Sequence, residues 1–420
     1  MKKVFKSIII ILCMLIPLTF TSCYIDNRKE KRILGGELNI LTCNEYRPYI
    51  DKAVEIYKAY HKGVKTSVTT TTQEGIYEAV STNKNYDLIT FPSTDMYRYK
   101  DYLEDVKPYV GDFINDFDKN KLETLKIEEE MKGFPIDSRA MAMYYRKDLL
   151  NNLGISELDI NTWDKFIELG KTLKEKMGIK LISVNFKGQD SFYNLLTNQL
   201  LEDFADNDDL NLFNNKSLMA FEMIKQLYDL DLINIVNDED LPIKNALDGD
   251  TLCFLGSNAE IYRVENYIEN NEFNGSLGVN KIPSFEPGGN RSVVSVLNNV
   301  GIVKTSNNKD VIKDFLKVLL IDKDVLVEGI NNNMIPVYKP IYFNDTFDKG
   351  IQVLDNDKAL RKFEYISRYA YVRNISKNYT LIDDFIDKNI IEIISGNNIH
   401  TNLKKYEEDI LKLISEKEEK

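Results

Sequence analysis

Residues 37–91 switch repeatedly between two periodicities, and that alternation restricts the fold more than any other feature of the chain. "ELNILT" (37–42) is a short apolar strand; Ile50, Val54 and Tyr57 then recur at helical spacing and stop before Gly63. "VKTSVTT" (64–70) puts Val64, Thr66 and Val68 on one face of a second strand, "QEGIYEAVS" is helical, and "YDLITF" (86–91) is a third strand. Strand, helix, strand, helix, strand is the order of a parallel α/β sheet, because parallel neighbours need a crossover long enough to hold a helix.

The pattern resumes after a break at "KGFPIDSRAMAMYY" (132–145). Asp148 to Asn152 make a short helix with Gly154 past its end. Thr162 caps a longer one whose apolar face is Trp163, Phe166, Ile167, Gly170, Leu173 and Met177, and "IKLISV" (179–184) is the next strand. A second α/β lobe therefore starts near residue 140. From about residue 210 the chain reads as mostly helical as far as the strand "DTLCFLGS" (250–257). It is then extended through "SLGVNKIPSF" and "VVSVLNNVGIVKTS", and helical to its end.

Ahead of the first strand, Lys2, Lys3 and Lys6 precede the apolar run "SIIIILCMLIPLTF", which ends on Thr21 and Ser22. That is the order of a secretory signal; the run is broken by Pro17 and shorter than the roughly 20 apolar residues of a membrane span. A small residue directly before a cysteine at the cut site resembles the bacterial lipobox. The resemblance implies that residues 1–22 are removed and that Cys23 becomes a diacylated first residue. Two acyl chains at about 0.8 kcal/mol per buried CH₂ hold a soluble domain durably to a bilayer, here on the extracellular face of the cell membrane. The charged, aperiodic stretch that follows Cys23 and ends in Gly35-Gly36 reads as a tether over 23–36.

Removing the signal leaves 398 of the 420 residues, enough for two or three domains with real cores. The whole chain carries −12 and the signal takes three lysines and no acid with it, so the mature part carries −15. Such a field repels phosphates, and no basic stripe with interleaved aromatics offsets it, which argues against nucleic acid as a partner. Cys43 and Cys253 are the thiols left over, either a pair or two small buried hydrophobes. The two histidines, His61 and His400, fall in polar surroundings, and no His-Glu-x-x-His, Gly-x-Ser-x-Gly or Walker loop occurs, so neither a metal site nor a catalytic residue is expected. A carboxylate pair for glycoside hydrolysis has no fixed spacing and leaves a tethered glycosidase as an alternative.

Several stretches together resemble the family 1 extracellular solute-binding proteins, the sugar-type receptors of ABC importers. They are "GFPIDSRAMAMYYRKDLLNNLGI" with "NTWDKFIELGKTLKEKMGIKLI", "YDLITFPSTD", "CFLGSN", "VGIVKTSNNKDVIKDFLKVLL" and "NNNMIPVYK". The resemblance implies an α/β, two-lobed, periplasmic-binding-protein-like fold of type II, with ligand in a cleft over which the lobes close. It places the crossings between lobes near 135–139, 255–258 and 304–306, lobe one at 37–136 plus 258–303, and lobe two at 140–254 plus 307–420. It implies a monomer that binds a small solute, most simply a sugar, hands it to ABC permease subunits and needs no cofactor; a non-sugar solute or a sensory role is the alternative.

Loops after the expected strands should line the cleft. Glu45, Tyr46 and Arg47 follow the first strand, with both hydrogen-bond senses side by side as sugars demand; Asp95 follows the third and is also a candidate helix cap. Ser138 and Arg139 fall in the first crossing, with an internal Asp137–Arg139 hinge pair as the other reading. Asp190 and Tyr193 follow a strand of lobe two, and Ser257 and Asn258 leave the second crossing. Trp163, the only tryptophan, belongs to the start of its helix, so stacking on a sugar would fall to Tyr46, Phe186, Tyr193, Tyr262, Tyr369 or Tyr371.

Overall fold

β1 (Gly36–Thr42) takes a parallel neighbour on each side, β2 (Val64–Thr70) and β3 (Leu88–Pro92). β3 is buried throughout and β1 over most of its length, as strands covered on both faces require. β2 stands at the edge of the sheet and buries little beyond Val64. The crossovers are α1 (Arg47–Tyr60), which turns Tyr49, Ile50, Ala53 and Tyr57 inward, and α2 (Gln73–Ser81), started by Thr72 accepting from the Gly75 N–H at 3.1 Å. The computed structural model describes residues 34–201, 214–396 and 398–418, so the expected signal, Cys23 and most of the tether lie outside the described residues.

The segment that read as a break is β4 (Phe134–Arg146), a single strand of 13 residues. At about 3.3 Å per residue it is long enough to serve both lobes. Five strands follow: β5 (Lys180–Asn185), β6 (Ile233–Val236), β7 (Thr251–Ser257), β8 (Leu277–Asn280) and β9 (Val293–Ile302). They complete a nine-stranded sheet ordered β2-β1-β3-β9-β4-β7-β5-β6, with β8 also paired to the end of β4. β9 runs antiparallel to both β3 and β4, and its register against β4 shifts between Val294 and Leu297 and again after Asn298. β6 lies in the stretch expected to be helical; four residues at a sheet edge are too short to carry a period.

The lobe boundaries expected from the sequence need three corrections. Residues 304–306 do not cross between lobes: the Lys304 N–H bonds the Tyr102 carbonyl at 2.9 Å and the Ser306 hydroxyl bonds Asp87, all within lobe one. The crossing is made by β9 itself, whose Val293 and Val294 meet Met141 and Ala140 while Leu297 to Val300 meet Ser138 to Phe134. The second correction concerns 258–303, expected wholly in lobe one: Ile261, Val264, Leu277 and Val279 do join the core of Leu38 and Ile50, but the elements that carry them attach at the lobe-two end of the sheet. α3 (Trp163–Met177), α4 (Phe192–Gln199), α5 (Asn215–Asp229) and α6 (Leu241–Asp248) precede α7 (Glu260–Asn270), which packs on β7 and α6, and β8 pairs with the lobe-two end of β4. Thirdly, α8 (Lys309–Ile321) and α9 (Lys323–Asn331), expected in lobe two, pack on α1, and Phe315, Leu319 and Ile330 share a core with Leu38, Ile50 and Phe91.

The same core continues through α10 (Ala359–Tyr369), and the chain changes sides once more where Tyr371 bridges to Val293. Only α11 (Tyr379–Ser395) and α12 (Ile399–Glu418) join the second core, where Ile382, Ile390, Leu403 and Ile410 pack with Phe166, Leu181 and Phe221. An amphipathic helix declares that it needs a partner surface and not which one, so these assignments were beyond the reach of periodicity.

Thr162 caps α3 through the Lys165 N–H, and Gly178 ends it in a left-handed conformation. Inside α3, a Cβ at Gly170 would stand 2.8 Å from Leu181 Cδ2 and 3.0 Å from Leu232 Cδ1, so the helix lies on the sheet only because that side chain is missing. Gly170→Val should therefore lose about 1–3 kcal/mol by overpacking, read as a lower urea midpoint with an unchanged slope.

Candidate functional site

The loops leaving the carboxyl ends of β1, β2 and β3 on one side and β5, β6 and β7 on the other open onto one cleft of about 1030 Å³. Lobe one contributes Asn44 and Glu45 after β1, Gln73 at the start of α2, and Pro92; lobe two contributes Asn185, the turn Lys187–Asp190, and Glu260, Tyr262 and Arg263 of α7. The crossing strands supply Arg139, Val296 and Asn298, and the turn after α9 supplies Asn331, Asn332 and Asn333. This is where an open parallel sheet leaves room for a ligand, and the volume suits one of a few rings.

Beneath the cleft, the buried Asp137 carboxylate accepts from the Ile335 N–H at 2.7 Å and from the Tyr46 hydroxyl at 3.3 Å, and the Ser138 N–H bonds the Ile335 carbonyl at 3.0 Å. The Asn258 side chain is the second tie: its Oδ1 accepts from Ala140 N–H at 3.0 Å and its Nδ2 donates to the Asn333 carbonyl at 2.7 Å. The Tyr144 hydroxyl donates to the Ser257 carbonyl at 2.7 Å. β4, the turn at 333–335 and the end of β7 are thereby joined under the ligand space.

Successive side chains of a strand point to opposite faces, so Asp137 and Arg139 share one. Arg139 reaches out to pair with the Glu45 carboxylate. Burial acts against its charge, but Tyr46 and the Glu45, Asp190 and Asp137 carboxylates outweigh that and hold its pKa above the ordinary value. Across the cleft Arg263 bonds Glu260 at 3.2 Å and Glu239 at 3.0 Å, and burial pushes the Glu260 carboxyl up. Gly256 leaves the space that Glu260 fills, since a Cβ there would meet its Cγ at 2.6 Å. The lining carries five carboxylates, at 45, 190, 239, 260 and 265, against the cations at 139, 187 and 263, so it repels anions. Among the described residues no group of three or more His, Cys, Asp or Glu is placed to hold a metal ion.

Of the candidates named from sequence, Glu45, Arg139 and Asp190 line the cleft, joined by Tyr262 from the possible stacking residues. Tyr46, Ser138, Ser257 and Asn258 are buried beneath it, with the Ser138 hydroxyl 2.9 Å from that of Ser367, so they brace the floor. Arg47 points away and pairs with Asp51 on its own helix at 2.6 Å. Asp95 is absent from the lining and its side chain caps no helix; burial raises its pKa. Tyr193 packs on Phe221 inside lobe two at 4.5 Å, and Trp163 donates from Nε1 to Gln199 at 2.9 Å.

Cys43 and Cys253 are both free thiols, and burial, followed by Glu45, pushes Cys43 up to about 11. Sequence reasoning missed Asn298, Lys187, Glu260, Arg263 and the turn at 331–333. For Asn298 a signal was present: "NN" interrupts the otherwise apolar "VVSVLNNVGIV".

The model of a family described as bacterial extracellular solute-binding protein matches residues 52–349. Among curated relatives, a lactose-binding protein of Rhizobium radiobacter is 37% identical over 71 residues, 16% of this chain and 17% of that protein. An arabinooligosaccharide-binding protein of Halalkalibacterium halodurans is 21% identical over 234 residues, 52% of this chain and 51% of that one. The matches thus span about half or less of these relatives' lengths. Solved structures agree in fold: the sugar-binding protein MalE of Xanthomonas citri has a TM-score of 0.77 at 14% identity, covering 91% of this chain and 98% of that one. The GacH receptor of Streptomyces glaucescens has a TM-score of 0.72 at 15% identity, covering 90% and 99%. The fold is the type II, periplasmic-binding-protein-like fold.

Burial pushes Asp137 up to about 6, with Glu45 adding to it and Arg139, the Ile335 N–H and Tyr46 opposing. Its folded value lies above its ordinary 3.8, so its contribution to stability is fully present below about pH 4 and is lost as pH rises through about 6. Asp137→Asn should remove that loss, and the melting temperature of the variant relative to wild type should climb between pH 4 and 7; a constant difference over that range would contradict the assignment. Asn258→Ala strands a buried N–H and a buried carbonyl, and should cost about 1–3 kcal/mol in denaturant unfolding at neutral pH.

Proposed function

The chain belongs to the family of bacterial extracellular solute-binding proteins, and from that premise we propose that it is a lipid-anchored receptor for a small carbohydrate, delivering it to an ABC permease in the same envelope. The observation that carries this reading is the cleft whose lining comes from both lobes and from the strands between them. A solute seated there touches Glu45 and Gln73 on one side, Asp190 and Tyr262 on the other, and Arg139 beneath. Amides, carboxylates and a guanidinium together supply donors and acceptors in the mixture that hydroxyl groups require. Two curated relatives are named for lactose and for arabinooligosaccharides, which supports the sugar class. The protein works by selective binding and a change of shape, as a monomer and without cofactor.

Ligand held by both lobes favours the state in which more of those contacts are made, and the rotation is absorbed by β4, β9, the end of β7 and the stretch near Tyr371. The Ser22-Cys23 junction supports the anchor, and no described helix is long and apolar enough to cross a membrane. The anchor leaves the receptor free to meet its permease on the outer face of the cell membrane.

Lactose, maltotriose and arabinotriose, each titrated against the purified mature chain, should yield at least one that binds without being turned over. At 100 times its dissociation constant it should add about 2.7 kcal/mol to stability. Arg139→Ala should weaken that sugar at least tenfold, and small-angle scattering at saturation should show a smaller radius of gyration than in the empty protein. Spermidine and glutamate binding in place of every sugar would overturn the carbohydrate reading, and an unchanged radius would overturn closure. In cells, Cys23→Ala should move the protein from the membrane fraction to the medium or to an unprocessed pool; wild type found free and cut elsewhere would overturn the anchor.

A further inference from the structure

We infer that Asn298 and Gln73 are specificity-determining residues, a donor and an acceptor held without partners in the cleft wall to read an uncharged hydroxyl-bearing group. Asn298 is 3% exposed, lines the cleft, and has no hydrogen-bond partner for its Nδ2. The neighbouring Asn299 faces the other side of β9 and donates to the Phe91 and Leu297 carbonyls at 3.3 and 3.0 Å, so the unpaired donor does not extend to both amides of the "NN" pair. Also on the lobe-one side, Gln73 lines the cleft at the start of α2, and its buried Oε1 likewise has no partner.

Leaving such groups unpaired costs free energy in the empty protein, and most buried polar atoms in folded chains are satisfied. A site that hydrogen-bonds its ligand recovers that cost on binding and rejects analogues that leave its polar groups unpaired.

The backbone explains why the donor stands where it does. β9 slips in register against β4 between Val294 and Leu297 and again after Asn298, and a bulge of this kind re-aims the side chains beside it. Val296 and Asn298 both come to the cleft, an apolar contact beside a donor, while the strand holds its pairing to Pro92 on the far side. Neither amide is charged. A donor and an acceptor of this kind suit a neutral hydroxyl, which offers both a lone pair and a proton, and give no selective hold on an ammonium or a carboxylate, each of which offers only one sense. This rests on the receptor reading above and narrows it to neutral polyols.

The test uses the mature chain with lactose, maltotriose and arabinotriose, taking the sugar that raises the wild-type melting temperature most. Asn298→Asp keeps the shape and removes the donor; Gln73→Leu removes the acceptor; each should weaken that sugar at least tenfold. Asn298→Leu supplies the readout that a structural role would not produce: without sugar it should melt no lower than wild type, because a strained donor has been removed, while its sugar-induced shift falls. Affinities of Asn298→Asp and Gln73→Leu within twofold of wild type, or an Asn298→Leu variant that melts lower when empty, would overturn this inference and leave the receptor reading standing. A wild type that answers to spermidine or glutamate and to none of the sugars would bring down both.

Discussion

A carboxylate removed from water has to be met by donors, and at Asp137 the donors come from parts of the chain far apart in sequence. The Ile335 N–H and the Tyr46 hydroxyl close on its two oxygens, one from the turn after α9 and the other from the loop after β1. That single buried charge therefore ties the crossing strand to two of the elements beside the cleft, the loop after β1 and the turn after α9. Its neighbour on the same face, Arg139, feels its charge and pairs with Glu45. A charge outside the cleft lining thus bears on the ion pair at its edge.

The floor and the walls answer to different requirements. Below, Asn258, Ser138 and Tyr144 have their polar atoms paired with backbone or with one another, which makes the crossing region stiff. Above, Glu45 pairs with Arg139, and Glu260 with Arg263 one turn along α7, at the surface of the cleft. In the proposed closure, rotation between lobes falls to the few residues where β4, β9 and β7 pass from one core to the other, beside that braced floor.

Much of this was legible in the residues. β1, β3, β5 and β7 announced themselves as short apolar runs, and Thr162 and Gly178 bounded α3 as their chemistry requires. The location of the site followed from the α/β order, but its membership did not, because position along a chain does not say which way a side chain points. Ser138 and Arg139 are adjacent in one strand and must face opposite sides, so only one could reach the cleft. Arg47 fell at the first position of α1, where the i,i+4 carboxylate of Asp51 claimed it. The polar pair in an apolar strand singled out Asn298 and Asn299, but which of them faces the cleft depended on a register shift, a property of strand pairing that no local pattern reveals. The placement of α8 and α9 was likewise a question of which exposed surface lay nearest, settled by the whole fold.

The path of the chain between the two cores bears on how the protein is born. Lobe one needs residues as late as Val372 to close its core, and lobe two draws on residues from Met141 to Ile414. Lobe one cannot close before α10 has been made, nor lobe two before α11 and α12. Vectorial synthesis, which lets a contiguous domain fold as it emerges, here delivers two halves that each wait for a different late segment. A chain with that itinerary holds both of its cores open until nearly all of it has been made.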